Sequence, residues 1–180
     1  MEIRGGLKLL KLIEFIGHIY FLILPVILGA IFNMVFVKLP ILKSWQIPMD
    51  GKKMFKDGRR IFGDNKTWKG FFGMIVLTAL FAWIFWGNFW HGALLGFAYV
   101  LFELPNSFIK RRLNIQSGKS GGIIQTFFDQ ADSVIGLIIF LPFIYPITWQ
   151  EAFGIFVIAT ATHYIFNVLL FYAKLKNQRG

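Results

Sequence analysis

Asp129 and Asp132 stand three positions apart in Asp129-Gln-Ala-Asp132-Ser133. On a helix that spacing puts both carboxylates on one face, where they repel unless a cation lies between them or one is protonated. Hard oxygen donors with no His or Cys nearby suit magnesium better than zinc. N-capping by Asp129, with Asp132 in the first turn, is the alternative; it accounts for one aspartate better than for two. Upstream, Glu103, Asn106, Ser107, Lys110 and Arg111 follow i, i+3, i+4, i+7 and i+8 spacing and share a helix face. Glu103 falls inside an apolar stretch, where a carboxylate is costly and is a functional candidate by default. A buried ion pair with a nearby Lys or Arg is the other possibility. Pro105 is expected to bend that helix locally.

Arg59, Arg60, Asn65, Lys66, Thr67 and Lys69 form a dense patch of donors just before an apolar stretch. A triphosphate requires such ammonium, guanidinium and amide groups. Ordinary basic charge touching lipid headgroups would give the same composition. Gly58 and Gly63 imitate a phosphate-cradling loop, but Asp64 and Asn65 occupy its Lys and Ser/Thr positions, so that reading is rejected. Ser117-Gly-Lys-Ser-Gly121-Gly122 is a strip whose backbone amides can approach phosphate closely, or a plain linker. His163 and Asn167, with Thr160 on the same stripe, are expected to hydrogen-bond between helices. Glu14 and His18 are expected to pair, and Asn33 fits either role.

The elements that must carry these groups are membrane helices. Hydrophobic residues make up 56% of the 180 and charged residues only 16%, against roughly a quarter in soluble domains. So much apolar material excludes disorder and leaves too few charges to cover a soluble globule. The chain has no Cys, which removes disulfides, thiolate metal sites and a Cys nucleophile. Apolar stretches at 15–37, 71–86, 90–109, 133–147 and 152–172 predict an all-α polytopic membrane protein with five transmembrane helices. Gly87-Asn88 predicts a tight hairpin between the second and third.

The net charge of +10 is unevenly placed. Nine Lys and Arg fall at 38–69, four at 110–132, and Lys174, Lys176 and Arg179 in the tail, against Arg4, Lys8 and Lys11 on the other side. Positive-inside bias therefore predicts two functional cytoplasmic loops (38–69 and 110–132), a cytoplasmic C-terminus and an N-terminus outside. The chain is expected to act as one transmembrane domain, with no nucleic-acid partner.

These motifs, in this order, resemble the CTP-dependent phosphatidate cytidylyltransferases. Lys66-Thr-Trp-Lys-Gly-Phe-Phe-Gly73 is similar to that family's S-P-K-K-T-W-E-G-F-x-G-G segment. Glu103-Leu-Pro-Asn-Ser-Phe-Ile-Lys-Arg111 is similar to G-D-L-x-E-S-x-x-K-R. Gly121-Gly122 followed by Asp129-Gln-Ala-Asp-Ser133 resembles G-H-G-G-x-x-D-R-x-D-S. The departures (Gly63-Asp-Asn65 for S-P-K, Lys69 and Asn106 for Glu, Gln130 for Arg) and the short chain look like the archaeal branch, the CDP-archaeol synthases.

The resemblance implies a membrane nucleotidyltransferase that joins CTP to a lipid phosphate, most simply di-O-geranylgeranyl-glycerol phosphate, and needs magnesium. It implies catalytic roles for Asp129, Asp132, Glu103 and Lys110, with Asp129, Asp132 and Glu103 at the metal. It implies nucleotide binding by Asn65, Lys66, Thr67, Lys69, Ser107, Arg111, Gly121 and Gly122. CTP, the lipid phosphate and the bilayer are the expected partners; an exposed apolar helix face would take a second copy, giving a homodimer, as readily as lipid. Two other classes remain open on sequence. A CDP-alcohol phosphotransferase calls for further Asp motifs that do not follow Asp132. A transporter would use Glu103, Asn33 and His163 as a midplane path, but no inverted repeat is visible.

Overall fold

The computed structural model describes residues 2–119 and 121–172; Ser120 and the basic tail residues Lys174, Lys176 and Arg179 lie outside the described residues, as does the Arg4 side chain. Five helices carry the chain: α1 (Glu2–Lys38), α2 (Trp68–Trp86), α3 (Phe89–Arg112), α4 (Ile123–Phe140) and α5 (Trp149–Tyr172). Each contains a segment long and apolar enough to cross a membrane, and the described residues include no strand.

Local sequence sets the turns. Gly87 ends α2 at φ 68°, a left-handed conformation open to glycine at little cost, and the Asn88 side chain caps α3 by accepting from the His91 amide at 3.1 Å. The expected hairpin follows. Gly92 and Gly96, four apart on α3, lie against α2; a Cβ at Gly92 would come within 2.7 Å of the Ala79 Cα. Small residues at that spacing let two membrane helices approach backbone to backbone. α1 packs on α2, α3 on α4 and α4 on α5, around a core that includes Ile19, Ile23, Met74, Leu95 and Ile155.

The fourth helix departs from the sequence-based span. It begins at Ile123 rather than Ser133, and gives way at Phe140 to a tight turn over Leu141–Phe143 that holds Pro142. Asp129 and Asp132, expected in a loop and at a helix mouth, therefore lie well inside α4 and cap nothing. Averaged hydropathy discounts Gln125, Asp129, Gln130 and Asp132, whereas the fold turns these polar groups inward and leaves Ile124, Phe127 and Phe128 exposed. α3 runs on through Pro105. At the far end, His18 pairs with Glu151 of α5 at 2.9 Å rather than with Glu14, which stays exposed one turn away.

The segment 39–67 is built around Asp50. This buried carboxylate accepts from the Arg60 guanidinium (2.7 and 3.2 Å) and from the backbone amides of Lys52, Phe62 and Gly63. Burial opposes its charge, but the Arg60 guanidinium and the three amides outweigh that and hold the carboxyl well below the usual carboxylate range. The segment is tied to the end of α3 by Arg112, which meets Asp57 at 2.8 Å, donates to the Arg60 carbonyl at 2.6 Å and lies over the rings of Phe55 and Phe108.

Candidate active site

Helical periodicity brings the α3 stripe onto the inward face of α4. Asn106 Nδ2 donates to Asp129 Oδ1 and to Asp132 Oδ2, each at 2.8 Å, and Lys110 Nζ donates to Asp129 Oδ2 at 2.6 Å. Gln125, one turn before Asp129, donates to the Asn106 carbonyl at 2.7 Å and to Asp129 at 3.2 Å. Lys66, from the end of segment 39–67, is ion-paired with Glu103. Burial alone would lower the Lys66 ammonium's pKa, but the charge of Glu103, with Asp132 and Asp129 beyond, raises it above the ordinary lysine value. The lysine is thus held charged against the carboxylates.

All of these groups except Gln125 line a cleft of about 700 Å³, with Asn65, Lys66, Glu103, Asn106, Lys110 and Arg111 on its wall. Ser107, Asp129 and Asp132 complete its floor. Arg111 Nε is buried with no hydrogen-bond partner among the described residues, a donor waiting for an acceptor. The loops after α1 and α3 meet at its rim: Gly63 lies against Ser117 and Gly118 against Asn65. Beside the cleft lies an apolar cavity of about 450 Å³, lined by residues of all five helices that include Ile27, Met74, Val100, Leu137 and Phe166.

Not every expected nucleotide-binding residue reaches the cleft. Lys69 is 1% exposed, and its Nζ donates to the carbonyl oxygens of Val37 (3.1 Å) and Leu39 (2.7 Å). It neutralises the carboxyl end of α1, where unsatisfied carbonyls attract a cation. Thr67 caps α2 by accepting from the Gly70 amide at 3.1 Å and faces the apolar cavity. Gly121 packs on Ile115 and Gln125, and Gly122 precedes α4; neither is among the cleft's lining residues. Two participants had not been singled out. Gln125 is legible in hindsight as the residue four before Asp129; Asp50 is not, because its partners are fixed by loop folding rather than by periodicity.

The donor set suits magnesium in part. Two carboxylates face one point, and the amide nitrogen of Asn106, a partial positive charge, bridges them there. Glu103 does not join them. Its partner is Lys66, in a partly buried version of the ion pair that was the alternative, and no three Asp, Glu or His side chains among the described residues form a metal cluster.

The fold is that of a polytopic membrane protein whose helical bundle carries paired carboxylates and cations on its inner faces beside an apolar cavity. Residues 9–179 match the family model described as CarS-like, CDP-archaeol synthase. A CDP-archaeol synthase of Pyrococcus abyssi is 36% identical over 153 residues, covering 77% of this chain and 86% of the relative. One of Methanoculleus marisnigri is 33% identical over 148 residues, covering 72% and 87%. A solved intramembrane enzyme for archaeal membrane lipid biosynthesis shares the fold at TM-score 0.64 and 23% identity, over 83% of this chain and 92% of its own. The chain belongs to the CDP-archaeol synthase family and is a multi-pass integral membrane protein.

Proposed function

We propose that the protein transfers the cytidylyl group of CTP to a membrane lipid phosphate, di-O-geranylgeranyl-glycerol phosphate, giving CDP-archaeol and pyrophosphate. The observation that carries this reading is the junction of the two cavities. A polar cleft sized for a nucleotide triphosphate shares Lys66 and Glu103 with an apolar cavity suited to lipid tails.

A non-bridging oxygen of the lipid phosphate attacks the α-phosphorus of CTP, the bond from that phosphorus to the bridging oxygen breaks, and pyrophosphate leaves with the electron pair. Lys110 and the unpartnered Arg111 Nε bind the β- and γ-phosphates and meet the charge that grows on the leaving group. Lys66, kept charged by Glu103, faces the incoming lipid phosphate and offsets the repulsion between two anions. Asp129 and Asp132 would hold magnesium, with Asn106 giving way between them, and the ion would supply charge neutralisation at the triphosphate. No side-chain base is required, because a phosphate monoester is already ionised near neutral pH. The excess of Lys and Arg in the loops at 38–69 and 110–132 supports a site on the cytoplasmic side.

The test is transfer of label from CTP, ATP, GTP or UTP into purified lipid phosphate by the protein in lipid nanodiscs with magnesium. CDP-lipid formed from CTP alone supports the reading. No labelled lipid from any nucleotide, in protein shown to be folded, removes it.

A further inference from the structure

Gln130 lies between the two aspartates in sequence but points to the opposite neighbour, α5. Its Oε1 accepts from Asn167 Nδ2 at 2.6 Å, and its backbone oxygen is 3.4 Å from His163 Nδ1. The other edge of the His163 ring is 3.4 Å from the Tyr99 hydroxyl. Both of these imidazole contacts are long for hydrogen bonds. Gln130 itself is 2% exposed, and its Nε2 has no hydrogen-bond partner among the described residues. Because Asn167 occupies Oε1, the free edge of that amide can only donate. A buried donor left open in this way calls for an acceptor.

Its location says which acceptor. Gln130 is on the wall of the polar cleft, and His163 and Asn167 line both the cleft and the apolar cavity. The trio is therefore at the neck between them, one helical face away from Lys110 and Arg111. A triphosphate is matched by those cations at the other end. A phosphate monoester carrying two apolar tails would have its tails among Ile27, Leu137 and Phe166, which brings its headgroup oxygens to the neck.

We infer that Gln130 Nε2, held by Asn167 and flanked by His163, is the seat of the lipid acceptor's headgroup, donating to its phosphate or first glycerol oxygen. This rests on the cytidylyl-transfer reading and adds to it a lipid-specific subsite whose donor is an uncharged amide. An amide donor there holds the phosphate without quenching the oxygen that must attack.

The experiment compares Gln130→Met, which keeps shape but removes both polar atoms, with Gln130→Ala and the wild type in nanodiscs. KM is measured for dihexanoyl glycerol phosphate and for the long-chain isoprenoid lipid phosphate, and CTP affinity is measured by titration without lipid. The expected result is a rise of about tenfold in both lipid KM values, by the same factor, with CTP affinity changed less than twofold. An unchanged lipid KM overturns the inference. So does a parallel fall in lipid and CTP affinity, which would mean that the trio only packs α4 on α5, and so does a loss confined to the long-chain lipid. If the wild type makes no CDP-lipid, the transfer reading fails by itself. Direct titration of dihexanoyl glycerol phosphate into wild type and Gln130→Met then still decides the seat.

Discussion

Lys110 Nζ lies 2.6 Å from Oδ2 of Asp129, a charged contact that joins α3 to α4 at the floor of the cleft. On the proposed transfer reading it serves two ends at once, holding the carboxylate in place and presenting an ammonium to the nucleotide. Lys110→Ala should therefore weaken CTP binding and lower kcat/KM by about a hundredfold or more, the scale of removing one preorganised charge from a transition state. CTP titration and turnover, with thermal unfolding as the control for folding, check it. Wild-type CTP affinity would reduce Lys110 to a structural tie.

Asp132→Asn should leave the protein folded in detergent and nearly inactive, with a loss on the order of 10²–10³ that saturating magnesium does not repair. The side chain keeps its size and its place beside Asn106, so helix packing is not disturbed. Turnover at wild-type rate in high magnesium would remove Asp132 from the metal.

Lys69→Met should behave in the opposite way. The substitution strips the carbonyls of Val37 and Leu39 of their donor while leaving the cleft wall intact. We expect a loss of about 1–3 kcal/mol in stability. CTP affinity should stay within twofold. A selective loss of CTP affinity at unchanged Tm would return Lys69 to the nucleotide.

Asp50 gives a pH dependence whose sign is fixed. Its carboxyl titrates lower in the folded protein than in the unfolded chain, so the unfolded state binds the extra proton first on acidification. The stabilisation it contributes is complete above about pH 4, the unfolded carboxylate value, and is lost progressively as pH falls toward the folded value. Asp50→Asn should abolish that acid dependence and loosen 39–67 already at neutral pH. Hydrogen exchange at Phe62 and Gly63, whose amides the carboxylate accepts, should rise while helical circular dichroism is kept. Unchanged exchange at these amides would show that the loop does not depend on Asp50.

Where the chemistry followed helical periodicity, the sequence was enough to find it. The Glu103–Arg111 stripe and the Gly87-Asn88 hairpin occur as expected, and Asp129 and Asp132 share a face as their spacing requires, although the helix that carries them starts earlier than expected; each depends only on spacing within one helix or turn. The start of α4 was not legible. A helix that turns its polar groups toward other helices scores as a loop when hydropathy is averaged along the chain. The roles of Lys69 and Asp50 depend on which segment folds back on which, and charge in a basic loop looks the same whether it meets solvent, phosphate or a carbonyl. His163 and Asn167 were expected to bond between helices and do; their position between two cavities required the three-dimensional arrangement.

Lys66 with Glu103, and Lys110 and Asn106 with the aspartates, already have partners within the cleft, whereas among the described residues Arg111 Nε and Gln130 Nε2 have none. At the paired groups, substrate arrival is an exchange of partners rather than the first satisfaction of them, and their contribution to affinity is the difference between two satisfied states. On the proposed transfer reading such a site trades tightness for speed, holding CTP only moderately and releasing pyrophosphate readily; and if the aspartates take magnesium, a chelator should silence the enzyme without melting it, because these pairs are made by the protein's own side chains.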